Sequence, residues 1–288
     1  MSQQMMSTVK QAPDGAAQAG RAAWDNIAPG YDRTNTPTQM WLGNEGLRRA
    51  GLRSGMRFLD VAAGSGALSI PAARLGARVL AVDQSPVMLA LLMARARTEG
   101  FDIDTRVMDG HALELQDDSF DIVGSQFGVM LFPDMPKGVS EMVRVVKPGG
   151  RVLMNVYGDP HRIEFFDFFV RAVQTVRPGF TGPPMQPPPL PFQLQDPQRL
   201  REVMAVCGLR DISIETITES TEFRTGKDLW EWLIGSNPIV EAVLGELTLS
   251  SEERGTIRQT LEQLVRDRAG ANPAAVLTNP INIGVGTK

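Results

Sequence analysis

The stretch Phe58-Leu59-Asp60-Val61-Ala62-Ala63-Gly64-Ser65-Gly66-Ala67 places an acid at the end of an apolar run, four residues before a glycine turn that opens into a helix. Glycines at 64 and 66 let the backbone approach a ligand closely, and the helix start offers free N–H groups. A carboxylate beside such a turn suits a ligand with a positive amine. It does not suit a pyrophosphate, which the anion would repel, and the third position of a dinucleotide fingerprint counted from Gly64 is Ser69, not Gly or Ala. Asp83 ends the next apolar run, Arg78–Val82, one strand–helix–strand step later. An acid there can accept both ribose hydroxyls of a nucleoside, or, more plainly, cap the helix that follows. Asp109 closes a third run ahead of Gly110-His111, where a carboxylate can accept from an adenine amino group. A fourth, Phe120-Asp121-Ile122-Val123, leads to Ser125-Gln126-Phe127.

These residues need a scaffold that gathers the ends of several strands. Short β-branched and apolar runs occur at 56–61, 78–83, 103–108, 120–125 and 151–157, with helical segments at 67–75, 86–99 and 136–146 between them. That alternation predicts βαβ units and a parallel sheet. Ser85-Pro86 reads as an N-cap followed by proline in the first turn, and Gly149-Gly150 as a helix stop ahead of the fifth strand. A helical stretch beginning at Ala22 is expected to break at Pro29-Gly30, with a second helix at 37–50. Beyond 157 come a Phe-rich helix at 162–176, a proline tract from Pro178 to Pro191, a helix from Asp196-Pro197 to Gly208, a strand at 210–218, helices over 226–269 and a last strand at 279–286. The expected organisation is a flexible tail over 1–20, a helical cap over 21–50, a core over 51–157, and a remainder over 158–288 that completes the sheet and carries helical and proline-rich insertions.

The chain has 288 residues with 29 Lys plus Arg and 33 Asp plus Glu, a net charge of −4, which gives no electrostatic reason to expect a nucleic-acid partner. A single cysteine, Cys207, and two histidines, His111 and His161, exclude a disulfide framework and a Cys- or His-rich metal centre. No apolar run reaches the ~18 residues of a membrane span, and the start lacks a secretory h-region. The expectation is a soluble cytoplasmic protein with no stable membrane insertion, its state, monomer or homodimer, left open.

The segments WDNIAPGYDRTN, LDVAAGSGALS, AVDQSPVML, DGHALELQDDSFDIV and VRVVKPGGRVLM, over about 24–157, resemble the class I S-adenosylmethionine (SAM)-dependent methyltransferases. The resemblance is greatest to the ubiquinone/menaquinone C-methyltransferase-like group of small-molecule enzymes, of the methyltransferase domain 11/25 type. It implies an α/β, Rossmann-like fold: a seven-stranded, mostly parallel sheet with the last strand antiparallel, helices on both faces and a helical cap. It also implies SAM as cofactor and a small-molecule acceptor; the acidic surface and the Phe/Met/Trp-rich cap point to a neutral apolar or aromatic acceptor, with O-, C- and N-methylation all open. Asp60 and the Ala62–Gly66 loop would hold the methionine end, Asp83 the ribose, and Asp109 with the Gly110-His111 backbone the adenine, with Gln84 and Met88 also among the cofactor-binding residues. Ser125 or Gln126 would lie near the sulfonium, and Tyr31 would close over the methionine side or the acceptor. Ala62 replaces the first glycine of the usual loop, and an alanine there calls for φ below zero.

On the acceptor side, His161 follows the fifth strand, where an acceptor's proton could be collected; with Tyr31 it forms the catalytic set. Phe165, Phe166, Phe168 and Phe169 exceed one buried helix face, so part of the run is expected to line an apolar pocket. One of Trp230 and Trp232 is expected to cap it. The proline tract reads as a semi-rigid lid, and 22–35 as a segment that orders when cofactor binds. Two other functions stay open: a nicotinamide-dependent oxidoreductase, and a SAM-fold protein that transfers no methyl.

Overall fold

The computed structural model describes residues 14–236 and 238–288. Strands β1 (Arg57–Val61), β2 (Arg78–Asp83), β3 (Asp104–Val107), β4 (Phe120–Gln126) and β5 (Val146–Tyr157) lie parallel. β7 (Ala275–Thr287) pairs antiparallel with both β5 and β6 (Arg210–Phe223). The sheet order is β3-β2-β1-β4-β5-β7-β6. β1 and β4 are buried along nearly their whole length, as their unbroken apolar character requires of strands covered on both faces. Because β1 has β2 on one side and β4 on the other, chain connections diverge there. The crevice at the carboxyl ends of β1 and β4 is therefore the place where such a sheet takes a ligand.

Helices α1 (Asp14–Thr34) and α2 (Thr36–Ala50) precede the sheet, and α3 (Ser69–Arg74), α4 (Pro86–Thr98) and α5 (Met135–Val145) connect its parallel strands. α4 starts where its sequence signals: Ser85 accepts a hydrogen bond from the Met88 N–H, with Pro86 in the first turn. The second half adds α6 (Glu164–Gln174), α7 (Pro197–Val206), α8 (Gly226–Ser236), α9 (Pro238–Glu246) and α10 (Ser251–Ala269). Here a second apolar cluster forms, built on Phe168, Phe169, Phe223, Trp232, Leu233 and Leu261, separate from the core of the sheet. No described helix is long and apolar enough to cross a membrane.

Three expectations differ from what is seen. α1 continues through Pro29 and Gly30, although a helix-interior proline loses one hydrogen bond and crowds the preceding turn. Tertiary packing overrides that loss, since α1 is held against α4 and α8. Ser85 Oγ donates to Asp25 Oδ1 at 2.5 Å, and Arg95 Nη2 donates to both the Asp32 carboxylate (2.6 Å) and the Asp32 carbonyl (2.9 Å). Helix also replaces the expected tail over 14–20; the rest of that tail, 1–13, lies outside the described residues. Finally, α5 ends at Val145, and Gly149-Gly150 fall within β5 at an irregularity in its pairing with β4. A side chain at Gly150 would meet the Asp121 carbonyl at 2.8 Å, so close strand approach, rather than a helix stop, selects that glycine.

The Arg95–Asp32 clamp, with both side chains about one-fifth exposed, is expected to hold α1 in place. Arg95→Ala should lower stability by about 1.5–3 kcal/mol, the range for charge-assisted hydrogen bonds. Exchange of α1 amides, followed by mass spectrometry, should accelerate while amides of β1 and β4 stay protected.

Candidate functional site

Asp60 is the second-last residue of β1, only 1% exposed. The Ser69 hydroxyl, carried back on α3, donates to its Oδ2 at 2.6 Å. Its Oδ1 is buried without any hydrogen-bond partner. Burial pushes the carboxyl up to about 7, and the nearby Asp83 charge adds to this, while Ser69 pulls the other way. Asp83, at the end of β2, accepts from the Gly64 N–H and the Ser85 N–H, both at 2.8 Å. Its carboxyl is raised by burial against those two donors. A carboxylate has about four lone-pair sites, so with the Gln84 N–H also directed at it Asp83 keeps room for a ligand donor.

The loop between the acids turns through left-handed backbone at Ala62 (φ 57°), Gly64 (φ 53°) and Gly66 (φ 103°). Glycine is required at 66, where a side chain would meet Ile70 and Leu92 at 3.1 Å. Ala62 corrects the expectation of φ below zero. Its methyl group stands where it would collide with any side chain at Gly128, so the loop closes tightly against the end of β4. Beyond β3, Asp109 is exposed and accepts from the His111 N–H at 2.9 Å, with the His111 Nδ1 2.7 Å from the same oxygen. Partial burial raises the Asp109 carboxyl, but these contacts hold it below its usual range. The His111 ring packs on Phe132 at 4.5 Å, and Phe132 also leaves no room for a side chain at Gly110.

Tyr31 joins this loop to a neighbouring cavity. Its ring comes within 3.8 Å of where a Gly64 side chain would start, and its hydroxyl donates to Gln39 Oε1 at 2.9 Å. The cavity is bounded by Tyr31 from α1, Phe127 and Tyr157 stacked at 4.5 Å, Phe165 and Phe166 from α6, and Pro189 from the proline tract. Burial raises the phenols of Tyr31 and Tyr157 above the ordinary tyrosine value. Both are therefore neutral across the physiological range.

A methyltransferase-domain family model matches residues 59–154. A demethylmenaquinone methyltransferase of Renibacterium salmoninarum is 35% identical over 163 residues, covering 54% of this chain and 67% of that one. The chain belongs to the class I S-adenosylmethionine-dependent methyltransferases. An uncharacterized protein of Mycobacterium tuberculosis is 40% identical over 129 residues, 45% of each chain, so this chain spans under half the length of that relative. Among solved structures, the YcgJ protein from Bacillus subtilis shares the fold at a TM-score of 0.54 and 17% identity, over 87% of this chain and 97% of its own. So does phosphoethanolamine N-methyltransferase 2 of Haemonchus contortus, in complex with phosphomonomethylethanolamine and S-adenosylhomocysteine, at 0.52 and 22%, over 91% and 60%.

The fold brings most of the residues expected to bind cofactor to one rim. Asp60, Ala62, Gly64, Gly66, Asp83 and Tyr31 converge at the ends of β1 and β2; Gln84 is exposed beside them and Met88 is buried in α4. Ser125 and Gln126 are engaged elsewhere. Ser125 Oγ accepts from the Val129 N–H at 3.0 Å, and Gln126 donates to the Gln39 carbonyl at 3.0 Å while accepting from Asn155 at 2.9 Å. His161 is exposed on a turn after β5 and does not border the cavity, which corrects its expected place beside the acceptor. Neither Trp230 nor Trp232 borders it; Trp232 packs behind Phe165 at 4.7 Å. Three residues were not anticipated: Phe127, Tyr157 and Gln39. Phe127 had a signal, its place at the mouth of β4; the other two did not.

The loop's backbone energetics can be tested directly. Left-handed backbone costs a non-glycine residue about 1–2 kcal/mol, of which glycine's greater freedom in the unfolded chain takes back about half. Ala62→Gly should therefore raise stability by about 0.5–1 kcal/mol, whereas Gly66→Ala should lower it by about 1–3 kcal/mol through strain and overpacking. Denaturant titration of the two variants checks both signs.

Proposed function

We propose that the protein transfers a methyl group from SAM to a small, apolar or aromatic acceptor. The observation that carries this reading is the partnerless Asp60 oxygen, buried beside a glycine turn that Tyr31 links to an aromatic cavity. A cationic amine fits that oxygen, and the pyrophosphate of a nicotinamide cofactor does not, since it would face two buried carboxylates. In this reading Asp60 takes the amine of the methionine end. Asp83 takes the ribose, and the Asp109–His111 corner flanks the adenine. When bound, SAM supplies a methyl group already activated on a sulfonium. What remains for the chain is to align the acceptor and exclude water. Tyr31, between the loop and the cavity, is placed to do both. The cavity wall is chiefly aromatic and aliphatic, and the chain's net charge is −4; both favour a neutral small molecule over a nucleic acid.

Two measurements test the cofactor assignment. Asp83→Ala should weaken SAM binding at least about tenfold, the effect of losing a charge-assisted contact, with the fold intact by circular dichroism. The second concerns pH. Asp60, raised from 3.8 to about 7, holds a proton at low pH that it must release to pair with an amine. SAM affinity should therefore rise with pH up to about 7, by as much as about tenfold per unit, and level off above it. Without ligand the sign reverses. The folded state binds the proton more tightly than the unfolded chain, so stability falls as pH rises from about 4 through 7. Calorimetry across that range should show both trends; Asp60→Asn should flatten the affinity trend and reduce the stability trend, whose remainder comes from Glu219, also raised to about 7, and from Asp83. Transfer itself is established by a product one methyl heavier together with S-adenosylhomocysteine; SAM binding with no such product over a panel of phenols, quinones and heteroaromatics would leave the non-methylating reading.

A further inference from the structure

Two polar side chains on the border of the aromatic cavity have hydrogens to give and no protein group to give them to. Tyr157 ends β5, Gln39 lies in α2, and both border the cavity. The fold brings them to the same end of it. Gln126, at the end of β4, donates to the Gln39 carbonyl, and its register partner on β5 is Asn155. Tyr157 follows Asn155 by two residues and so stands on the same face of the strand, one row further toward the cavity. Gln39 Oε1 accepts from the Tyr31 hydroxyl, but the Gln39 side-chain nitrogen donates to no described residue. The Tyr157 hydroxyl likewise makes no hydrogen bond among the described residues, while its ring is fixed by stacking on Phe127 at 4.5 Å. Neither atom is sealed off within the core, so both open on the cavity that their residues border.

A donor enclosed by apolar walls costs free energy while it stays unpaired, and a ligand that brings an acceptor atom removes that cost. Charge narrows the choice of atom. Among the described residues no charged side chain borders the cavity, and the charges that reach Tyr31 and Tyr157 come from acids, Asp83 and Glu219 foremost. An anionic oxygen is therefore disfavoured. A carbonyl oxygen has two lone pairs, accepts from both donors and brings no hydrogen of its own. A hydroxyl brings one, and the acceptor beside it, Gln39 Oε1, is already taken by Tyr31. We propose that Tyr157 and Gln39 determine acceptor specificity by donating hydrogen bonds to the carbonyl oxygen of a neutral aromatic ketone enclosed by the cavity. This rests on reading the cavity as the acceptor site of a methyltransferase.

2-Acetylnaphthalene and 2-isopropenylnaphthalene share one shape, the second carrying a methylene group in place of the carbonyl oxygen. Equilibrium dialysis of each against the full chain, without SAM, reads the contact directly. Tyr157→Phe keeps the ring on Phe127 and removes only the hydroxyl. It is expected to weaken ketone binding about three- to tenfold, the effect of one hydrogen bond, and to leave alkene binding within about twofold. Gln39→Leu should also lower the ratio of ketone to alkene affinity, and retained alkene binding shows that the cavity stays intact in each variant. The proposal is overturned if the wild type binds no ketone, or if Tyr157→Phe weakens both probes alike or neither. It is equally overturned if 1-(2-naphthyl)ethanol, the matching alcohol, binds more tightly than the ketone. Because no SAM is present, the two readings fail separately. Ketone selection that depends on residue 157, without methyl transfer to any acceptor, overturns only the proposed activity. Methyl transfer with ketone binding indifferent to residues 157 and 39 overturns only this inference.

Discussion

A buried carboxylate with one oxygen unpaired is the constraint around which the cofactor side is built. Asp60 lies within a strand whose neighbours Leu59 and Val61 are core, so it cannot turn out to water without moving β1. Ser69 satisfies one oxygen only because the chain reverses through Gly64 and Gly66 and returns as α3. The same reversal aims the Gly64 N–H at Asp83 and so fixes the second acid. An internal charge that its own protein leaves half-satisfied costs free energy, and a cationic ligand offsets that cost. Loop, helix start and both acids thus share a single geometric solution.

The aromatic cavity, the proposed acceptor side, follows a different logic. It lies between the core of the sheet and the second apolar cluster of α6, α8 and α10. Tyr31 and Gln39 tie it to the cofactor side. The Tyr31 hydroxyl bonds to Gln39, the Gln39 carbonyl accepts from Gln126, and Gln126 accepts from Asn155. This chain of buried amides passes from α1 through α2 to β4 and β5. It positions an aromatic ring over the glycine loop with no charged group spent on the task.

Much of the cofactor side is legible in the sequence because each of its signals is local. Apolar runs that end in Asp60 and Asp83, the Ser85-Pro86 cap and the glycine pair all act within a few residues of themselves. The misses have non-local causes. Pro29 predicts a break, but α4 and α8 hold α1 helical across it. Ala62 sits left-handed in a loop held to β2 by the Gly64–Asp83 hydrogen bond, a contact between residues 19 apart. His161 follows the fifth strand as a base would, yet the turn that carries it faces solvent. Glu219 lies in Thr216-Ile217-Thr218-Glu219-Ser220, whose alternation marks a half-exposed strand; nothing in it announces a buried acid, because the burial comes from elements distant in sequence.

The two halves therefore divide recognition unequally. Aromatic walls such as Phe127, Phe165 and Phe166 add affinity for any flat apolar body, but discriminate weakly, since one methylene more or less is worth only about 1–3 kcal/mol. Buried polar groups without partners discriminate far more sharply, because the wrong ligand leaves them unpaired. Such a group lies at the Asp60 end, against the glycine loop. The neighbouring cavity is walled by permissive aromatic and aliphatic surface. A site of this kind can tolerate variation in the ring system it encloses while staying strict about the polar atoms beside the glycine loop.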